Sequence, residues 1–82
     1  MTFTFSKDQV DILKKIDFSE IAEPVVFDDN QTSVTVPDSK AGLFLTLISD
    51  EIDMHGFSAD QNEVLPYGRK LYAIYDSAYD QI

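Results

Sequence analysis

Residues Lys40 to Gly56 read K-A-G-L-F-L-T-L-I-S-D-E-I-D-M-H-G. At about 100° per residue, Ala41, Phe44, Leu45, Ile48, Ile52 and His55 share one stripe of a helix, and Leu43, Leu47 and Met54 form a second, roughly opposite. Only Gly42, Thr46, Ser49, Asp50 and Asp53 make a narrow polar strip. A surface helix normally shows a single apolar face, so this one is expected to be enclosed by neighbours on both sides. The alternative leaves Leu43, Leu47 and Met54 exposed as a partner or dimer surface. Asp38 or Ser39 is placed to N-cap the helix after Pro37, and Gly56 to end it as a left-handed residue.

Immediately before the helix, Val25-Val26-Phe27 and Thr32-Ser33-Val34-Thr35-Val36 are β-branched and aromatic and flank Asp28-Asp29-Asn30-Gln31, the pattern of a β-hairpin. A turn centred on Asp29-Asn30 pairs Val25 with Val34 and Phe27 with Thr32. Val25, Phe27, Val34 and Val36 then share one face, as a fixed register requires. A lone ribbon is marginal in water, so that face must rest on a helix. Asp28, Asp29 and Asn30 lack the spacing and distal Glu of a calcium loop and read as turn residues.

Further out, Thr2-Phe3-Thr4-Phe5 alternates with period two, as a short strand or a frayed end. Ser6 and Gln9 fit a capping box, with Phe5 placed to staple onto Val10. The helix they open carries Val10, Ile12, Leu13 and Ile16 on one side and is expected to end near Asp17. Ser19 can cap a short helix that Pro24 stops. Beyond Gly56, Ser58 to Gln61 suggests another capping box, and Asn62 can cap as well. The last helix is expected to start between Asp60 and Tyr67, with Pro66 in its first turn. Its buried stripe is Val64, Tyr67, Leu71, Ile74, Tyr75, Ala78 and Ile82, with Tyr72 and Tyr79 beside it on the flank of Gly68. Arg69, Asp76 and Asp80 face outward. Gly68 inside a helix costs about 1 kcal/mol relative to Ala, which implies a packing or turn-related reason for it. The fold class is therefore α+β, a single domain over 1–82, with a β-hairpin, or three short antiparallel strands, packed on three helices.

The 82 residues contain no cysteine, so no disulfide staples this small core. The longest apolar run is far short of a membrane span, and the N-terminal residues lack the features of a signal peptide. The expected location is the cytoplasm. Net charge is −9, from 15 acidic and six basic residues. Residues 21–82 carry −8 of it. Direct binding to nucleic acid is disfavoured, because that affinity comes from clustered Lys and Arg. An acidic surface favours basic partners and solubility.

Candidate chemistry is sparse. His55 is the only histidine, and no nucleophile elbow, phosphate loop or zinc motif occurs. Glu51 and His55 share a helix face, but two ligands do not make a metal site, and His55 in the last turn suits the helix dipole. No catalytic residue, metal ligand or cofactor site is assigned. The expected function is that of a small acidic, non-enzymatic protein-binding or regulatory protein. Its partner-binding residues are Tyr72, Asp76, Tyr79 and Asp80, with Leu43, Leu47 and Met54 as a second candidate set; tyrosine favours interface cores. One alternative is a structural subunit that forms homodimers through Leu43, Leu47 and Met54. Another is a DNA-mimic inhibitor of a nucleic-acid-binding protein, using Asp50, Asp53, Asp60, Glu63, Asp76 and Asp80.

The opening F-T-F-S-K-D-Q-V-D-I-L-K-K-I (residues 3–16) and the closing Y-G-R-K-L-Y-A-I-Y-D (residues 67–76) resemble the ends of short uncharacterised proteins of Gram-positive bacteria and their prophages. The resemblance implies a bacterial or phage cytosolic setting. It implies no activity and carries over no functional residue.

Overall fold

Thr2–Thr4 forms a strand, β1, followed by helix α1 at Lys7–Leu13. The computed structural model describes residues 1–60 and 62–82. The Ser6–Gln9 capping box is present in full. Gln9 N–H donates to Ser6 Oγ at 3.2 Å, and Ser6 N–H donates to Gln9 Oε1 at 3.0 Å. The α-helix ends at Leu13 rather than near Asp17, because Lys15 and Ile16 bond back to Ile12 and Leu13 in tighter i→i+3 turns. These turns still carry Ile16 into the core beside Val10 and Leu13.

A 3-10 turn at Ser19–Ile21 follows. Ser19 does not cap it with its side chain; Asp17 Oδ1 instead accepts from the Ser19 N–H at 2.9 Å. Ala22 ends the turn in the left-handed region, φ 60°.

Strands β2 (Val26–Phe27) and β3 (Ser33–Thr35) form the hairpin, and β1 pairs antiparallel with the free side of β3, giving the order β1-β3-β2. Phe27 pairs with Val34 and Val26 with Thr35. The expected pairing of Val25 with Val34 and Phe27 with Thr32 is therefore corrected by two residues. The cause is a longer loop than a two-residue turn. Gln31 enters the left-handed region at φ 57°, and the Asp28 carboxylate accepts from the N–H groups of Thr32 and Ser33 at 2.7 and 2.9 Å. A slip of two keeps side-chain parity. Val34 and Val36 are buried with Phe3, while Thr2, Thr35 and Val26 face outward.

A 3-10 turn at Asp38–Lys40 feeds helix α2, Ala41–His55. Neither Asp38 nor Ser39 caps α2; Lys40 holds that position, and i→i+3 bonds from Lys40 and Ala41 to Pro37 and Asp38 occupy the first amides. Ala41, Phe44, Leu45, Leu47, Ile48 and Ile52 are buried, one arc about 160° wide at 100° per residue. The arc meets different neighbours. Phe44 sits 5.1 Å from both Phe3 of β1 and Phe18, while the largest contact between elements is α2 on α3, Pro66–Asp80. The two expected apolar stripes are thus unequal: Leu47 joins the core, Leu43 is half-buried, and Met54 and His55 are exposed.

Gly56 closes α2 in a right-handed conformation, φ −89°, so its expected left-handed role is corrected. Its lack of a side chain is required by contact. A Cβ on Gly56 would lie 2.6 Å from the Ile52 carbonyl oxygen and 3.1 Å from Gly68 Cα. A Cβ on Gly68 would fall on the Gly56 carbonyl oxygen and within 2.8 Å of Gly56 Cα. The same Gly56 carbonyl accepts the Leu65 N–H at 2.8 Å, just before Pro66 starts α3. Leu65 holds the N-cap position of α3, so Asn62 does not cap it, and the capping box suggested at Ser58 to Gln61 includes a residue outside those described. Leu71, Ile74 and Ala78 of α3 are buried as expected, and Tyr67 and Tyr75 are half-buried. Ile82 is a correction: it lies past the end of α3 and is 64% exposed.

At the far end of α3, Gln81 folds back on β1. Its Oε1 accepts the Thr4 N–H at 2.6 Å, and its Nε2 donates to the Thr4 carbonyl at 2.9 Å. The result is an α+β fold, one sheet face and three helices around a single apolar cluster.

Two substitutions test the glycine contact. Gly68→Ala, forced against backbone, is expected to destabilise by about 3 kcal/mol. Gly42→Ala, where an added Cβ meets nothing within 4 Å, is expected to stabilise by about 0.5–1 kcal/mol. Urea unfolding of both variants checks the pair.

The hairpin loop yields a pH test. Hydrogen bonds from Ser33 and Thr32 hold the Asp28 carboxyl below its ordinary value of 3.8. Its stabilisation is therefore complete above that value and is lost as pH falls through the lower folded value. The melting-temperature difference between wild type and Asp28→Ala should be largest near neutral pH and shrink below pH 3.8.

Candidate functional site

The periodicity that buries Leu71, Ile74 and Ala78 turns Tyr72, Asp76, Tyr79 and Asp80 outward on α3. Tyr72 is 41% exposed and Tyr79 is 64% exposed. The Tyr75 and Tyr79 rings stack with centroids 6.4 Å apart and planes 18° apart, so Tyr75 links the exposed face to the core edge. Tyr72 also lines a broad hollow of about 710 Å³ with Arg69, Glu63, Asn62 and Val64. Arg69 brings a cation next to the tyrosine face, a neighbour that its outward helical position alone did not identify.

The second set, Leu43, Leu47 and Met54, is not one open surface. Leu47 is 7% exposed, whereas Met54 is 71% exposed. A smaller groove of about 260 Å³ lies where the segment after α1 meets α2. Leu47, Asp50, Glu51 and Met54, spaced i, i+3, i+4 and i+7 along α2, form one wall, and Ile16, Asp17 and Glu20 form the other. Reading the sequence did not bring Ile16, Asp17 and Glu20 to this place. The contact joins residues about 30 apart, and no local pattern encodes it.

The electrostatics are one-sided. Among the described residues, the only ion pair within 4.0 Å joins the Met1 amino group to Asp38. The carboxylates take hydrogen bonds instead. Backbone and side-chain bonds from Ser19 hold Asp17 below the usual carboxylate value. The Ser58 hydroxyl, at 2.6 Å, and the Asn62 N–H do the same for Asp60. Glu51 accepts from the Tyr67 hydroxyl at 3.2 Å, and burial together with that charge pushes the Tyr67 hydroxyl up. Asp50, Asp53, Asp60, Glu63, Asp76 and Asp80, the proposed phosphate mimics, are all exposed.

Glu51 thus has a tyrosine partner, and His55 stands exposed at the end of α2. No group of three or more His, Cys, Asp or Glu among the described residues is arranged to hold a metal ion. No helix among them is long and apolar enough to cross a membrane. No family model, curated protein or solved structure matches this chain.

With a net charge of −9 and no Lys or Arg ion pair among the described residues, self-repulsion opposes the compact state, and salt screens it. Raising salt from about 0.02 to about 0.5 M should therefore raise the melting temperature by several degrees. Differential scanning calorimetry measures the shift, and a fall would contradict the charge balance described.

Proposed function

We propose that this chain is a small acidic, non-enzymatic protein that binds or regulates a partner protein through the outward face of α3. The supporting observation is the exposure of Tyr72, Asp76, Tyr79 and Asp80 on consecutive turns of one helix. Tyrosine supplies contact area with little conformational freedom to lose, and flanking carboxylates orient a basic partner. The partner is a protein rather than nucleic acid, since a surface of this charge repels phosphate. The resemblance of residues 3–16 and 67–76 to short bacterial and prophage proteins supports a cytoplasmic role in a bacterium or an infected cell.

Self-association through Leu43, Leu47 and Met54 has less support, because Leu47 is already covered within the monomer.

Photo-crosslinking from position 79 in a host extract tests the reading. A specific adduct should form with wild type and be lost in the Asp76→Lys, Asp80→Lys double variant, whose melting temperature should stay within a few degrees of wild type. An adduct that survives the double reversal would remove the α3 face from the function.

A further inference from the structure

We infer that the groove between α2 and the segment after α1 is a second binding site, for a cationic amphipathic peptide segment of another protein. An apolar side chain would seat on Met54, with only the exposed edge of Leu47 beneath it, and Lys or Arg side chains would meet Asp17, Glu20, Asp50 and Glu51.

Three features select this occupant. The floor is apolar: Ile16 and Leu47 are core residues that reach the groove, and Met54 stands open above them. Methionine is an unbranched, polarizable side chain suited to surfaces that accept varied apolar groups. The rim holds four carboxylates, none within 4.0 Å of a Lys or Arg side chain among the described residues. The rim therefore presents unneutralised negative charge around an apolar floor, the complement of a partner that carries cations beside an apolar side chain.

Size and symmetry narrow the choice. At about 260 Å³ the groove is smaller than the roughly 300–1,000 Å³ of small-molecule sites, and it accommodates one or two side chains of a larger partner. A second copy seated two-fold on the same groove would bring four carboxylates against four, which like-charge repulsion opposes. A small polyamine would satisfy the rim and leave the floor uncovered. A peptide with apolar residues between cations matches both.

The probe is a fluorescein-labelled peptide built only of Leu and Lys at helical spacing, with a Lys and Ser peptide of equal charge as its control. Fluorescence anisotropy at about 0.15 M salt reads binding to the full chain. Wild type should bind the Leu and Lys peptide at least about tenfold tighter than the control, and Met54→Ser should weaken it about tenfold. The Glu20→Lys, Asp50→Lys pair should weaken it about 30-fold or more, while Asp8→Lys with Asp29→Lys, an equal change in net charge at exposed positions outside both the groove and the α3 face, should leave it within about threefold. Glu20, Asp50 and Met54 are exposed, so circular dichroism should report an unchanged fold for these variants. No binding, equal affinity for the two peptides, or a loss that follows the Asp8, Asp29 pair as strongly as the groove pair overturns the inference. Because none of these variants alters the α3 face, failure here leaves the reading of that face standing.

Discussion

Helices α2 and α3 meet backbone to backbone at Gly56 and Gly68, and the other arrangements follow from that approach. The Gly56 carbonyl takes the Leu65 N–H while its oxygen lies where a Gly68 side chain would be. The connection thereby becomes a fixed joint, reinforced by the Phe57–Val64 bridge and the Ser58 N–H bond to Glu63. With the joint set, Leu71, Ile74 and Ala78 turn toward the core and Tyr67 can reach Glu51. The tyrosine face points away as a consequence. Its exposure is dictated by where α3 is pinned.

The local grammar of the chain was readable in advance. The Ser6–Gln9 box, the hairpin faces, the long central helix and Pro66 at the first turn of α3 each depend on residues a few positions apart. Local sequence is silent where the deciding partner is remote or the backbone is unusual. Gly56 looks like a helix terminator by position, yet its neighbour twelve residues on explains it better. The hairpin register lies two residues from the one that alternation alone suggests, because a non-glycine residue, Gln31, adopts left-handed backbone that composition does not advertise. Leu47 and Met54 fall on one stripe by periodicity, but Leu47 is buried in the core while Met54, two turns on, is open. The α3 face was legible because a helix's outer side is the complement of its inner one. The groove was not, because half of it comes from another segment.

Charge and packing divide the labour in this molecule. The apolar cluster from β1, β3 and the three helices excludes charged side chains; among the described residues, no charged or polar side chain is buried. The acids collect outside, stabilised by hydroxyl and amide donors rather than by bases. Such local bonds fix where a carboxylate stands without neutralising it, so the surface keeps its field for encounter with other molecules.

Gln81 presents to β1 one donor and one acceptor, the equipment of a single peptide unit. A sheet with two open borders can stack copies head to tail without end, each copy's first strand meeting the next one's last. Here a side-chain amide occupies part of one border, leaving β2 as the other. On the β1 border, the Thr4 peptide groups that a further strand would need are already satisfied by a single glutamine side chain.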